Sequence, residues 1–300
     1  MKKFILRVTI FTMIAAVAAT AIELFVRSLP NSYRLKHEWM TNNAGRVETI
    51  ILGNSHALFA LRPDMMPPNT FNLANVSQTL DYDLLLLEKY APQCRRLKTV
   101  IITADNSNMF DPSADEAEPN RATFYRLYMD ISRHSLLSKY GLELLSAATV
   151  QAKLQKHIAH SDLDVDSLGW GNTYISARRD ADMLLPQNAE KRMEAHTCSN
   201  WNNAMTNRQH LIDIAKYCSQ HNIHLIILCP PTSKQYNILM PKHQVRFINV
   251  TLDMLRKHNA TVIDMHDDKT FSDADFFDAD HMTDKGAAKL SKMIVKHAAL

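Results

Sequence analysis

The chain has 300 residues, 46% hydrophobic and 22% charged, which is enough apolar material for one large domain or one domain with an insertion. A formal net charge of +3 is too weak to argue for nucleic acid or for steering of anionic substrates. No two of the six glycines have phosphate-loop spacing, and no two of the four cysteines form a C-x-x-C pair, so a Gly-rich nucleotide turn, a zinc centre and a dithiol centre are disfavoured.

Met1-Lys2-Lys3 opens the chain with positive charge, and the uncharged run Val8 to Ile22 follows, bracketed by Arg7 and Glu23. Residues 1–27 read as a transmembrane anchor or a cleaved signal peptide, with Ala19-Thr20-Ala21 resembling a cleavage site. Either role puts the rest of the chain outside the cytoplasm, because the lysines stay inside. That places the domain on the periplasmic or extracytoplasmic side of a bacterial-type inner membrane, or in secreted form. Residues 28–45, with Pro30, Asn31, Asn42 and Asn43, read as a linker, leaving 46–300 as the domain.

Five short apolar runs predict strands: Val47 to Leu52, Phe71 to Ala74, Thr99 to Thr103, Ile223 to Cys229 and Thr261 to Asp264. Helical spacing falls between them at Thr79 to Tyr90, Asn203 to Gln220 and Gln244 to His258, and after them at Asp284 to His297 with Thr283 as N-cap. Strands apolar on both faces and alternating with helices predict a parallel sheet covered on both sides. The segment 106–200 breaks the alternation. Its helical patterns at Tyr125 to Leu137 and Leu142 to His157 and its turn-rich stretch at Ser167 to Asn172 read as a mainly helical insertion over the active edge.

Two segments carry chemistry. Ser55 follows the first strand in Gly53-Asn54-Ser55-His56, and Asp278 and His281 precede the last helix, so all three fall at the carboxyl edge of the sheet, where ligands bind in such folds. A serine hydroxyl needs a base to take its proton, and the base needs a partner to fix its tautomer. Ser55 is therefore the candidate nucleophile, His281 the base and Asp278 the orienting carboxylate. Oxyanion donors would come from the backbone of Ser55 or Asn54, or from Asn75 and Asn106, which follow the second and third strands. Asp278, Asp280 and His281 could alternatively hold a metal, although no metal or other cofactor is expected. Trp170 and Trp201 fit core packing or a sugar-binding surface, and Cys198 and Cys218 could pair or stay free. An α/β-hydrolase elbow is disfavoured, since too little chain precedes Ser55 and position 57 is Ala.

Gly53-Asn54-Ser55-His56 resembles the first block of the SGNH (GDSL) hydrolase superfamily, and Asp278-x-x-His281 with Thr283 and Gly286 resembles its last block. The resemblance covers about residues 46 to 110 and 222 to 300. It implies a flavodoxin-like three-layer α/β/α sandwich of about five parallel strands. The second block lacks its usual glycine at residues 71–77, and Ala104-Asp105-Asn106 matches the third only in part. The layout resembles envelope members of the D-alanyl-transfer and alginate-acetylation type. It implies a serine esterase or O-acyltransferase acting on an acylated envelope glycan, with a membrane-bound acyl-donor partner. The divergent middle blocks keep open an inactive glycan-binding or assembly factor.

Overall fold

The computed structural model describes residues 1–131, 141–160 and 163–298. Strands β1 (Thr49–Leu52), β2 (Thr70–Asn72), β3 (Thr99–Thr103), β4 (His224–Cys229) and β5 (Thr261–Asp264) form one parallel sheet in the order β2-β1-β3-β4-β5. This is the flavodoxin-like order, and its switch point lies between β1 and β3.

The described helices are α1 (Lys2–Ser28), α2 (Ser32–Asn43), α3 (Ser55–Ala60), α4 (Leu80–Tyr90), α5 (Ala114–Ala117), α6 (Pro119–Met129), α7 (Ala147–Ile158), α8 (Pro186–Ala195), α9 (Trp201–Gln220), α10 (Lys234–Leu239), α11 (Lys242–Lys257) and α12 (Asp284–His297). Successive strand side chains point to opposite faces, and both sets are apolar. Ile50, Leu52, Val100, Ile102, Leu225 and Ile227 pack with Leu86 of α4, Leu211 and Ile214 of α9 and Leu252 and Leu255 of α11. Ile51, Ile101, Ile226 and Leu228 pack with Ala57 and Leu58 of α3 and Leu290 and Ile294 of α12. The result is the three-layer α/β/α architecture expected. β5 is short and half-exposed, as an edge strand that avoids pairing with other chains should be.

Residues 28–45 are not a loose linker. Asn31 caps α2 by accepting the Arg34 N–H, and Tyr33, Lys36 and Met40 are buried in the domain. The Lys36 ammonium donates to the Ala74 carbonyl, tying α2 to the loop after β2. Composition hid this helix because its buried face includes a lysine. Between β3 and α9 the described residues form α5 to α8, short 3-10 turns and irregular stretches. The expected helix over Tyr125 to Leu137 appears as α6, which ends at Asp130 in left-handed geometry, and its continuation from 132 lies outside the described residues. All four cysteines are free. α1 is long and apolar enough to cross a membrane or to serve as a signal sequence.

Candidate active site

Gly53 ends β1 at φ +125° and leads into Asn54, the N-cap of α3. A Cβ at Gly53 would lie 2.3 Å from Thr103 Oγ1 and 2.9 Å from the Ala57 Cβ, so the turn needs glycine. The Gly53 N–H donates to Asp83 Oδ1 of α4 at 2.8 Å, fixing the turn from below. Burial pushes the Asp83 carboxyl up to about 7, against the hydrogen bonds from Gln78 and Gly53. Ser55 is therefore the first helical residue of α3, at the carboxyl end of β1 and at the switch point of the sheet.

The segment that carries Asp278 and His281 is a tight turn. Phe276 bridges Met282, and the Phe277 N–H donates to the His281 carbonyl at 2.8 Å. Inside it, Asp278 Oδ1 accepts the backbone N–H of Asp280 at 3.1 Å and of His281 at 2.8 Å. The same carboxylate lies 3.0 Å from His281 Nδ1 through either oxygen. His281 Nε2 lies 2.8 Å from Ser55 Oγ. Thr283 caps α12 by accepting the Gly286 N–H at 3.1 Å, which anchors the end of the turn. The structure thus brings Ser55, His281 and Asp278 into one line of hydrogen bonds across 226 residues of sequence.

A buried charge network lies behind this line. His56, only 2% exposed, places Nδ1 2.9 Å from Asp105 Oδ2 and Nε2 3.1 Å from Asp280 Oδ2. Burial opposes charge on the ring, but the two carboxylates outweigh it and raise the imidazole to about 10, so it is an imidazolium at neutral pH. Arg192 of α8 clamps Asp280 through Nε at 2.8 Å and Nη2 at 2.7 Å. Burial alone would raise the Asp280 carboxyl, but His281, His56 and Arg192 hold it well below the usual carboxylate range. Asp280 Oδ1 also lies 3.5 Å from His281 Nδ1, beside Asp278. His196 of the insertion is pushed down to about 4 by burial, and its Nδ1 lies 2.6 Å from the Tyr236 hydroxyl.

Aromatic rings wall His281. Tyr174 stacks on Phe59 at 4.0 Å and on Phe277 at 4.3 Å, and meets the His281 ring edge-on at 5.3 Å. Tyr174 and Arg192 both come from the insertion, so that segment forms part of the site. Trp170, buried, donates Nε1–H to the Phe59 carbonyl at 3.0 Å and is core, whereas Trp201 is 42% exposed.

Asn75 and Asn106 are not free donors. The Asn75 amide donates to Gln78 Oε1 and the Leu73 carbonyl. Asn106 turns away toward α10 and α11, donating to the Tyr236 hydroxyl at 3.2 Å and accepting from Gln244 Nε2 at 2.6 Å. Position after a strand placed them at the correct edge but could not give their rotamers. The Ser55 N–H starts α3 and has no intrahelical partner, which makes it the available backbone donor.

The sequence missed the roles of His56, Asp105 and Arg192. Two signals were present, a histidine directly after the serine and an extra aspartate within Asp278-x-Asp280-His281. Among the described residues, His56, Asp280 and His281 also have the spacing of a metal cluster, with ligand atoms within 4.8 Å of one another. Both His56 nitrogens already face carboxylates, and a guanidinium sits on Asp280. Ion pairing accounts for this donor set better than a cation that Arg192 would repel.

No protein-family model matches the sequence, and no curated protein matches it. By structure the chain is similar to a GDSL-like lipase from Bacteroides thetaiotaomicron, with a TM-score of 0.44 and 10% identity over 90% of this chain and 100% of that one. It is also similar to a protein described as an acylhydrolase from Bacteroides fragilis, with a TM-score of 0.41 and 10% identity over 87% and 93% of the two chains. Both likenesses are too distant to carry chemistry across, so the function must follow from the residues of this chain.

Proposed function

We propose that the protein is a membrane-anchored serine esterase or O-acyltransferase of SGNH type. It acts outside the cytoplasm on acyl groups, acetyl foremost, of an envelope carbohydrate. The observation that carries this is the alignment of Ser55 Oγ, His281 Nε2 and His281 Nδ1 with Asp278 at 2.8 and 3.0 Å.

Ser55 Oγ attacks the ester carbonyl while His281 Nε2 takes its proton. The developing oxyanion accepts from the Ser55 N–H at the head of α3. His281 then returns its proton to the departing alcohol, leaving an acyl group on Ser55. A water or a sugar hydroxyl, deprotonated by the same histidine, releases the acyl group as acid or as a new ester. The chemistry needs no cofactor.

The charge network suits this cycle. Before attack, Asp105, Asp278 and Asp280 are negative and His56 and Arg192 positive, one net negative charge over these five groups. Protonation of His281 brings that group to neutrality at the moment the base carries its charge. The fixed ion pairs need little reorganisation for this. The ring wall of Phe59, Tyr174 and Phe277 keeps water off one side of His281, which favours a bound sugar hydroxyl as acceptor. Because Tyr174 and Arg192 belong to the insertion, we assign glycan selection to that segment. α1 serves as the anchor, and a membrane-bound acyl donor is the partner that such an anchor suits.

The test is turnover of p-nitrophenyl acetate and of an O-acetylated polysaccharide by the full chain. Ser55→Ala and His281→Ala should each remove turnover by roughly a thousandfold or more while the fold survives. Glycan binding without any turnover by the native chain would favour the inactive binding factor instead.

A further inference from the structure

α1 carries an acidic residue, Glu23, near the end of an otherwise apolar helix, and the structure shows where that charge goes. Glu23 is buried, pairs with Arg27 and accepts the backbone N–H groups of Glu143 and Leu144 at 3.1 and 3.0 Å. Val26 is fully buried and Leu29 nearly so. Lys153 of α7 reaches the Val26 carbonyl at 3.5 Å and pairs with Glu143 at 2.6 Å. The last two turns of α1 are therefore part of the folded domain, joined to it without a flexible break.

This docking fixes a level. The backbone at 143–144 lies against residue 23, while Ile22, Leu24 and Phe25 on other faces of the helix are 50%, 61% and 50% exposed. Beside them Leu142 is 44% exposed and Leu145 is 74% exposed. From Phe4 to Phe25 the helix rises about 32 Å at ~1.5 Å per residue. That equals the hydrocarbon thickness of a bilayer, about 30 Å. Leu142 and Leu145 flank the two residues whose N–H groups Glu23 accepts, which sets them at the level of Ile22, Leu24 and Phe25 along the helix. Arg7 can reach the opposite interface with its long side chain.

We infer that Leu142 and Leu145 form a second lipid-contacting surface, which dips into the bilayer interface beside α1 and seats the domain in one orientation. The inference rests on α1 being a retained membrane anchor, as proposed above. Seating also places the active edge. The cavity of about 340 Å³ that touches the α1–α2 junction at Pro30 and Asn31 is also lined by Asn75 and Val76, in the loop after β2. Its lining thus runs from the α1–α2 junction to a loop at the sheet edge that carries Ser55.

The test uses the full chain in liposomes, with Cys198→Ser removing the one thiol that is not buried. An environment-sensitive fluorophore is attached in turn at Leu142→Cys, Leu145→Cys, Phe11→Cys within α1, and Val250→Cys. Val250 is 45% exposed on α11, which packs along β5 at the sheet edge opposite β2. Seating requires a blue shift and loss of most emission to spin-labelled lipid at 142, 145 and 11, with no quenching at 250. Quenching at 11 alone would overturn the seating and leave the anchor intact. No quenching at 11 would overturn the anchor and the seating with it. Far-UV circular dichroism of each labelled variant keeps misfolding from being read as any of these outcomes.

Discussion

Replacing His56 by Gln tests whether the buried network behind the triad is ionic. His56 is 2% exposed and its two nitrogens face Asp105 and Asp280 at 2.9 and 3.1 Å. Removing one partner of a buried pair leaves uncompensated charge and costs about 3–5 kcal/mol. At about 2–4 °C per kcal/mol this lowers Tm by roughly 10 °C. The pH dependence is more specific. His56 is raised in the fold to about 10 from an ordinary 6.5, so its stabilisation is complete below pH 6.5. As pH rises from 6.5 to 10, the unfolded chain gives up this proton while the folded chain keeps it, and the stabilisation falls by about 1.4 kcal/mol per pH unit. The deficit of His56→Gln relative to the native chain should therefore be largest at pH 6 and mostly gone by pH 9. Thermal unfolding of both full chains in detergent, followed by circular dichroism at pH 6, 7.5 and 9, measures it. A Tm difference below about 2 °C at pH 6, or a deficit equal at pH 6 and 9, would refute a buried imidazolium.

Other outcomes follow from single contacts. Asp83→Asn should raise Tm at pH 8 and leave it nearly unchanged at pH 4. Its folded carboxyl is raised to about 7, so the buried charge costs stability only as pH climbs from about 4 through 7. Gly53→Ala should cost about 2–4 kcal/mol, from strain at φ +125° and the clash with Thr103, measured as the fall in Tm. Arg192→Gln leaves Asp280 with the imidazoles of His56 at 3.1 Å and His281 at 3.5 Å. It should lower kcat on p-nitrophenyl acetate about tenfold with KM little changed, because Arg192 acts on His281 through Asp280.

How much of this was legible in the sequence depends on the range of each interaction. Strand runs such as Thr99 to Thr103 announce themselves locally, and their alternation with helices implies the parallel sheet. Ser55, Asp278 and His281 could be named because each lies next to a strand end or a helix start, where a parallel sheet gathers its chemistry. Helix α2 was missed because Lys36 and Asn43 look solvent-facing until Lys36 is seen donating to the Ala74 carbonyl. Asn75 and Asn106 were placed at the correct edge, but their amides follow partners such as Gln244, 138 residues away, that no local pattern reveals. The His56–Asp280 contact spans 224 residues, and Arg192 comes from a segment with no strand among its described residues. Long-range ionic contacts depend on side-chain direction, which periodicity does not encode.

The most direct test of the central claim is labelling of the full chain with a fluorophosphonate probe, read by peptide mass against a Ser55→Ala control. An activated serine requires one adduct, at Ser55, that disappears in Ser55→Ala and is slowed strongly by His281→Ala. A folded native chain that takes no label, or that is labelled equally after Ser55→Ala, would contradict the assignment of Ser55 as the nucleophile.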